Sequence, residues 1–282
     1  MEKVVILGGD NRQIELYKLF RKEGYNTSLF GFDAIDKDSD RNVYQKLQEC
    51  DYLFLPIPYK TNRGLIKMPF SKKSFTLHDV QAVLKEDCVV LLGKSDSESE
   101  YFLNLRSLKF WDFLKDENFL VENARLTAEA ALAIAMLRNT KSLNDCKVSI
   151  LGFGRISKQL IRLLNAFNCP IYVTTRRNMD ESNENLNGGG FIHTNRALKA
   201  VNKADIVFNT IPKIIFDEKK MTEVKANVTI FELSSYPYGF DMDYARAKGM
   251  DIRIEAGLPG RFFPKSAAKA IYKSFKTFMN GE

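Results

Sequence analysis

With four cysteines and two histidines in 282 residues, the chain has little of what soft-metal binding or disulfide formation requires. Cys50, Cys88, Cys146 and Cys169 are scattered, form no CxxC and stand mostly among apolar strand residues, so neither a disulfide framework nor a zinc site is expected. His78 and His193 fall in polar stretches and read as bystanders. Long apolar runs are also missing, since none approaches the roughly 20 residues that cross a bilayer. A strand opens at Val4–Leu7 and leaves no room for a leader, so the expectation is a cytoplasmic chain without membrane contact. Positive charge is in excess, at +7 net. The lysines and arginines are spread out instead of forming a stripe with interleaved aromatics, which favours small anions over nucleic acid as partners.

A hydrophobic content of 45% can fill two cores, and strand and helix patterns alternate in two successive series. The first runs through strands near Val4–Leu7, Thr27–Phe32, Tyr52–Leu55, Val89–Leu92 and Lys109–Phe113, with a helix from about Asn11 to Glu23 stopped by Gly24. The second runs from Lys147 through Ile171–Thr175, Ile206–Pro212, Val228–Leu233 and Asp251–Glu255. Between them, Asn123–Arg138 carries apolar residues on nearly every face, the mark of a buried helix, with Thr127 and Glu129 as its polar interior members. The final stretch, Ser266–Met279, has Ala267, Ile271, Phe275 and Phe278 on one stripe and lysines opposite. The expected fold is α/β, with two Rossmann-like or flavodoxin-like parallel-sheet domains joined by a buried helix. The expected bounds are a first domain over 1–122, a linking helix over 123–140, a nucleotide-binding domain over 141–265, and a C-terminal helix over 266–282 that returns to the first domain. Asn178–Gly190, rich in Asn, Glu and Gly, reads as a loop beside the adenosine end of the second domain.

The apolar strand ending at Leu151 runs straight into Gly152-Phe153-Gly154-Arg155-Ile156-Ser157 and a helical pattern. Glycine at 152 permits a tight turn. Glycine at 154 lets backbone N–H groups approach a pyrophosphate at the helix N-terminus, where aligned peptide dipoles favour an anion. Ser157 stands where such turns carry a third glycine and is small enough to keep helix and strand close. The next strand ends in Thr175-Arg176-Arg177, with no carboxylate for a ribose 2′-hydroxyl. A guanidinium pair suits a 2′-phosphate and stacks on adenine, so NADP is expected over NAD, with Thr174 and Thr175 adding hydroxyls. Thr210, Ile211 and Pro212 follow the strand that ordinarily passes beneath the nicotinamide ribose, and Ser234 and Ser235 follow the next. In the first domain, Gly8-Gly9-Asp10-Asn11-Arg12 lacks the nucleotide fingerprint. It puts an acid, an amide and a guanidinium at the carboxyl end of a strand, where open α/β sheets bind ligands, and is the expected substrate end.

This order of domains resembles the two-domain dehydrogenases of hydroxy acids. Those enzymes use a histidine late in the nucleotide domain as acid/base, and no histidine follows His193 here, which disfavours that chemistry. Gly8-Gly9-Asp10-x-Arg12, Glu122-Asn123-Ala124-x-x-Thr127-Ala128-Glu129, Gly152-Phe153-Gly154-Arg155, Asn209-Thr210-Ile211-Pro212 and the Leu-Pro-Gly-basic-x-x-Pro-Lys pattern inside Glu255–Ala267 together resemble the A subunits of dipicolinate synthase along the whole chain. Arg261-Phe262-Phe263 stands where that family commonly has Lys-Val-Ala, and Ser266 where it has threonine.

The resemblance implies a cytoplasmic NAD(P)-dependent oxidoreductase of endospore formation, in the mother cell. With a second, flavoprotein-like subunit it would convert dihydrodipicolinate, or its hydrated precursor, to dipicolinate, as part of a homo-oligomer. Aromatising a cyclic dicarboxylate requires cations for two carboxylates, a hydride acceptor and a modest base. Arg12, Lys94, Arg261 and Lys265 are the candidate cations, and the Gly257–Gly260 loop with Ser266 and Ala267 the candidate N–H donors. Asp10 and Glu122, read as loop positions whose pKa partial burial would raise, are the candidate bases, with water as the alternative. Two other readings stay open: a nucleotide-binding regulatory or scaffold subunit whose chemistry lies in its partner, and a stand-alone NADP-dependent reductase of another small carboxylate.

Overall fold

Aliphatic and β-branched residues form β1 (Lys3–Leu7) at the heart of a five-stranded parallel sheet. It pairs with β2 (Asn26–Phe30) on one side and β3 (Tyr52–Phe54) on the other, and β4 (Val89–Leu92) and β5 (Phe110–Asp112) complete the order β2-β1-β3-β4-β5. Successive side chains of a strand point to opposite faces, so β1 serves two cores. Val4 and Ile6 pack with Leu16 and Phe20 of α1 (Asn11–Lys22). Val5 and Leu7 pack with residues of α2 (Val43–Glu49), α3 (Leu77–Gln81) and α4 (Ser97–Leu105). The second strand stops at Phe30, short of the expected Phe32, because Gly31 (φ +87) turns the chain off with its backbone against Gly8 and Met68.

The computed structural model describes residues 1–35, 42–177 and 184–281, and its contacts divide into two units, Met1–Asn123 with Pro259–Glu282, and Ala124–Leu258. Helix α5 (Glu117–Arg138) starts in one and continues in the other. It begins earlier than the expected Asn123, because Asp116 caps it, its Oδ1 accepting from the N–H of Asn118 at 2.9 Å and of Phe119 at 3.3 Å. Glu122 is therefore a helical residue, and the expectation of a loop position for it is corrected.

The second unit holds β6 (Val148–Leu151), α6 (Arg155–Leu164), β7 (Ile171–Thr175), β8 (Gly190–His193), α7 (Ala197–Lys203), β9 (Ile206–Asn209), α8 (Glu218–Met221), β10 (Thr229–Glu232), α9 (Met242–Ala247) and β11 (Ile252–Ile254). All six strands are parallel, in the order β11-β10-β9-β6-β7-β8, which is the doubly wound order of dinucleotide-binding sheets. β8 starts at Gly190, where the expected loop ends, and is a strand that the sequence reading did not place. Its residues carry little strand pattern, and pairing makes them one: Tyr172 to Thr175 of β7 register against Gly190 to His193. Gly189 permits the approach, since a Cβ there would fall 1.8 Å from the Ile171 carbonyl oxygen. Residues 178–183 of the expected adenosine-side loop lie outside the described residues.

A short helix, α10 (Leu258–Phe262), leads into α11 (Pro264–Met279), with proline in the first turn, where its missing N–H costs nothing. The return to the first unit thus begins at Pro259 instead of residue 266. α11 buries Ala267, Ala268, Ala270, Ile271, Ser274 and Phe275, and the Phe275 ring lies 5.1 to 5.4 Å from those of Phe20, Tyr52 and Phe54. No helix among the described residues is long and apolar enough to cross a membrane.

Candidate functional site

In the second unit, β6 lies between β7 and β9, where the strand order reverses, and the chain leaves it at Gly152. That residue has φ +99, and a Cβ would lie 2.6 Å from Thr210 Oγ1. The Gly152 N–H donates to Thr174 Oγ1 at 2.9 Å. Thr210 Oγ1 donates to the Leu151 carbonyl at 2.8 Å and is hydrogen-bonded to Ser157 Oγ at 3.0 Å. Ser157, fully buried, is thus more than a small filler at the third glycine place, because its hydroxyl ties α6 to the loop after β9. Ile211 lies beside Gly152 through the same loop, and Pro212 is exposed next to it. Gly154 is the N-cap of α6, without a side-chain cap and with open space where a Cβ would stand. Backbone N–H groups of the first turn, at Arg155, Ile156 and Ser157, follow directly. An uncapped, glycine-entered helix N-terminus at a switch point fits a dinucleotide pyrophosphate.

Around this turn, Thr175 is buried and its Oγ1 accepts from the Arg177 N–H at 3.1 Å, while Arg176 and Arg177 are exposed at the end of β7. Thr174 is corrected: its fully buried hydroxyl holds the glycine turn and is not offered to a ribose phosphate. Phe153 meets Phe191 of β8 edge-on at 5.2 Å, with the Lys158 ammonium 5.4 Å from its ring centre.

Sequence reasoning missed Glu232, the last residue of β10, which is fully buried. Asn209 Nδ2 donates to both its oxygens at 2.8 Å, and the Ser234 and Gly239 N–H groups donate to them at 2.9 Å. Asn209 in turn holds the loop after β9 by donating to the Ile211 carbonyl at 3.1 Å and accepting from the Ile211 N–H at 3.1 Å. Burial pushes the Glu232 carboxyl above the usual glutamate range, and its donors offset this only in part. The available signal was a carboxylate closing an apolar strand, Thr-Ile-Phe-Glu. Ser234 belongs to this network, with its hydroxyl 3.4 Å from Asn209 Nδ2.

In the first unit, the switch between β1 and β3 is occupied by Asp10 and Arg12. Asp10 caps α1, accepting from the Arg12 N–H at 3.0 Å, while Gln13 Oε1 accepts from the Asp10 N–H at 2.9 Å. The buried Arg12 guanidinium forks onto the same carboxylate, Nε to Oδ1 and Nη2 to Oδ2, each at 2.9 Å, and also donates to the Ile57 carbonyl at 3.0 Å. Burial alone would raise the Asp10 pKa, but hydrogen bonds and charge from Arg12, with Lys67 behind it, hold the carboxyl below the usual aspartate range. The expectation of a raised pKa at Asp10 is therefore corrected. Gly260 packs directly on this carboxylate, since a Cβ there would lie 2.6 Å from both oxygens. The chain carrying Arg261, Lys265 and Ser266 thus arrives at Asp10, with Arg261 and Lys265 exposed. Ser266 lies inside the first turn of α11, and Ala267 is corrected as a donor, its N–H being bonded to the Phe263 carbonyl at 2.9 Å. Lys94 is exposed after β4, and its own N–H and that of Ser95 are held by buried Asp112 at 3.0 and 2.7 Å.

The folds and the glycine turn define a class: an oxidoreductase architecture of two parallel-sheet units, the second a nicotinamide-dinucleotide-binding domain. Residues 120–234 match the family described as the NAD binding domain of D-isomer specific 2-hydroxyacid dehydrogenases. Residues 3–114 match a narrower one, the N-terminal domain of the dipicolinate synthase A subunit. Over its length the chain is similar to the A subunit of dipicolinate synthase: it is 25% identical to that protein of Bacillus subtilis (strain 168), across 95% of this chain and 93% of the relative. The crystal structure of the dipicolinate synthase A subunit from Bacillus halodurans superimposes with a TM-score of 0.84 at 23% identity, over 98% of this chain and 97% of that one. A transhydrogenase from Sinorhizobium meliloti shares the fold at a TM-score of 0.67 and 14% identity, over 98% of this chain and 93% of its own.

Proposed function

We propose that this chain is an NADP-preferring oxidoreductase that aromatises a dihydropyridine dicarboxylate to dipicolinate during endospore formation, acting with a second, flavoprotein-like subunit in a homo-oligomeric assembly. The observation that carries the reading is the uncapped glycine turn of α6 with an arginine pair and, among the described residues, no acid at the end of the neighbouring strand. Similarity to the A subunit of dipicolinate synthase supports the substrate. Gly152, Phe153, Gly154, Arg155 and Ile156 would hold the pyrophosphate, Thr175, Arg176 and Arg177 the 2′-phosphate side, and Thr210 to Pro212 with Ser234 the nicotinamide side. When bound, the nicotinamide supplies the hydride acceptor.

The residues of the first unit do the rest. Lys94, Arg261 and Lys265 attract the substrate carboxylates, and the Ser266 N–H adds a donor at the start of α11. Arg12 positions Asp10. Asp10, held ionised, orients the water that takes the ring proton, a loss that aromatisation itself drives.

The test is dipicolinate formation from freshly generated dihydrodipicolinate with NADP or NAD, using this chain alone and with its candidate partner. Product should require this chain and prefer NADP. Replacing Arg176 and Arg177 by Ala should raise the KM for NADP by about tenfold to a hundredfold and leave that for NAD nearly unchanged, since a charge-assisted hydrogen bond is worth about 1.5–3 kcal/mol. One observation favours the scaffold reading: Asp10 is engaged by Arg12 instead of poised as a base. NADP binding without product in any combination would support that reading and overturn the enzyme one.

A further inference from the structure

Lys67 belongs to no motif, yet the fold seats it at the substrate end. It lies in the segment that leaves the carboxyl end of β3 and folds back through the antiparallel bridges Lys60–Ile66 and Leu65–Thr76. That segment is anchored on the turn after β1. The Gly9 N–H donates to the Lys67 carbonyl at 2.8 Å, and the Lys67 N–H donates to the Tyr59 carbonyl at 2.9 Å. Contact is close enough that a Cβ on Gly8 would lie 2.8 Å from the Lys67 carbonyl oxygen and 2.6 Å from Met68 Cγ. The two glycines, both at positive φ, therefore do more than turn the chain: they admit this second segment.

The Lys67 side chain is half-buried and its charge reaches Asp10. Arg12 already pairs with that carboxylate through a two-point fork. Among the described residues, Lys67 has no hydrogen bond or ion pair of its own from the ammonium. Arg12 and Lys67 thus set two cations beside the Asp10 carboxylate, in a place where partial exclusion of water strengthens attraction between charges. The fixed main chain supplies what a flexible lysine stem lacks, a defined point from which its charge is presented.

We propose that Lys67 is the ammonium that receives one carboxylate of the dicarboxylate substrate over the Gly8–Gly9 turn, with Arg12 acting behind it as a positioning residue. This rests on the substrate reading above. The experiment is calorimetric titration of the full chain with two probes, pyridine-2,6-dicarboxylate and glutarate, using wild type, Lys67→Met and Lys67→Arg. NADP affinity and the thermal midpoint serve as controls for the fold. Lys67→Met should weaken pyridine-2,6-dicarboxylate by about tenfold or more, the loss expected of one charge-assisted contact, and Lys67→Arg should restore most of it, with both controls unmoved. Equal binding by wild type and Lys67→Met overturns the assignment of Lys67 and leaves the substrate reading standing. Lys67-dependent binding of glutarate, with none of the pyridine, supports the site and overturns the substrate reading. Binding of neither probe overturns both. If Lys67→Met does not fold, Lys67→Gln takes its place under the same criteria.

Discussion

Two carboxylates, Asp10 half-buried and Glu232 fully buried, show how neighbours decide the state of a residue. Asp10 follows the Gly8–Gly9 turn after β1 and Glu232 ends β10, but Asp10 faces the guanidinium of Arg12, and among the described residues Glu232 faces neutral donors. The first carboxyl is held low and the second pushed up. An acid raised in the fold binds more protons folded than unfolded between its two pKa values. Its contribution is therefore full below the ordinary glutamate range and lost as pH rises through the folded value. Relative to Glu232→Gln, the urea midpoint of the wild type should fall as pH is raised through that window, and a constant difference would contradict the shift. Glu232→Ala should destabilise by about 1–3 kcal/mol for each donor it strands, read by denaturant unfolding. All four cysteines are buried free thiols, and Cys50 and Cys88 stand 3.5 Å apart as a sulfur hydrogen-bonded pair.

Elements follow local signals where packing agrees with them and depart where it does not. α1 carries a complete capping box at Asp10 and Gln13, and its start matches the pattern. α5 begins at a cap, Asp116, that the apolar run downstream overshadows in the sequence. β8 exists because β7 offers an edge, not because its residues insist on being a strand. α11 shows the reverse case. Its stripe is plain in the sequence, and the structure gives it a partner in the aromatic cluster of Phe20, Tyr52 and Phe54. Phe275→Ala should cost about 3–5 kcal/mol by denaturant unfolding, the range for emptying an aromatic core site, whereas exposed Lys269→Ala on the opposite face should change stability little.

At the scale of the whole molecule, the chain carries two sheets with separate switch points and separate ligand assignments. Hydrogen exchange can read them independently. Saturating NADP should slow exchange over 152–157 and 210–212, and pyridine-2,6-dicarboxylate over 8–13 and 66–68. Protection in the opposite units would overturn the division of the two sites. Ligand binding to the folded state alone should also stabilise it, by about 2.7 kcal/mol at a hundred times Kd.

The α/β class, the dinucleotide turn at Gly152 to Ser157, and the apolar faces of β1 and α11 were legible in the sequence, because each depends on local spacing and on the side-chain period of a single element. Contacts between distant segments were not. The Glu232–Asn209 network, the Thr174 and Thr210 hydroxyls locking Gly152, the Arg12 fork that holds Asp10 ionised, and the placing of Lys67 on the Gly8–Gly9 turn were decided by tertiary structure alone. Each joins residues from different strands or loops, and the charge state and hydrogen-bond partner of a buried group are set by whatever the fold brings beside it.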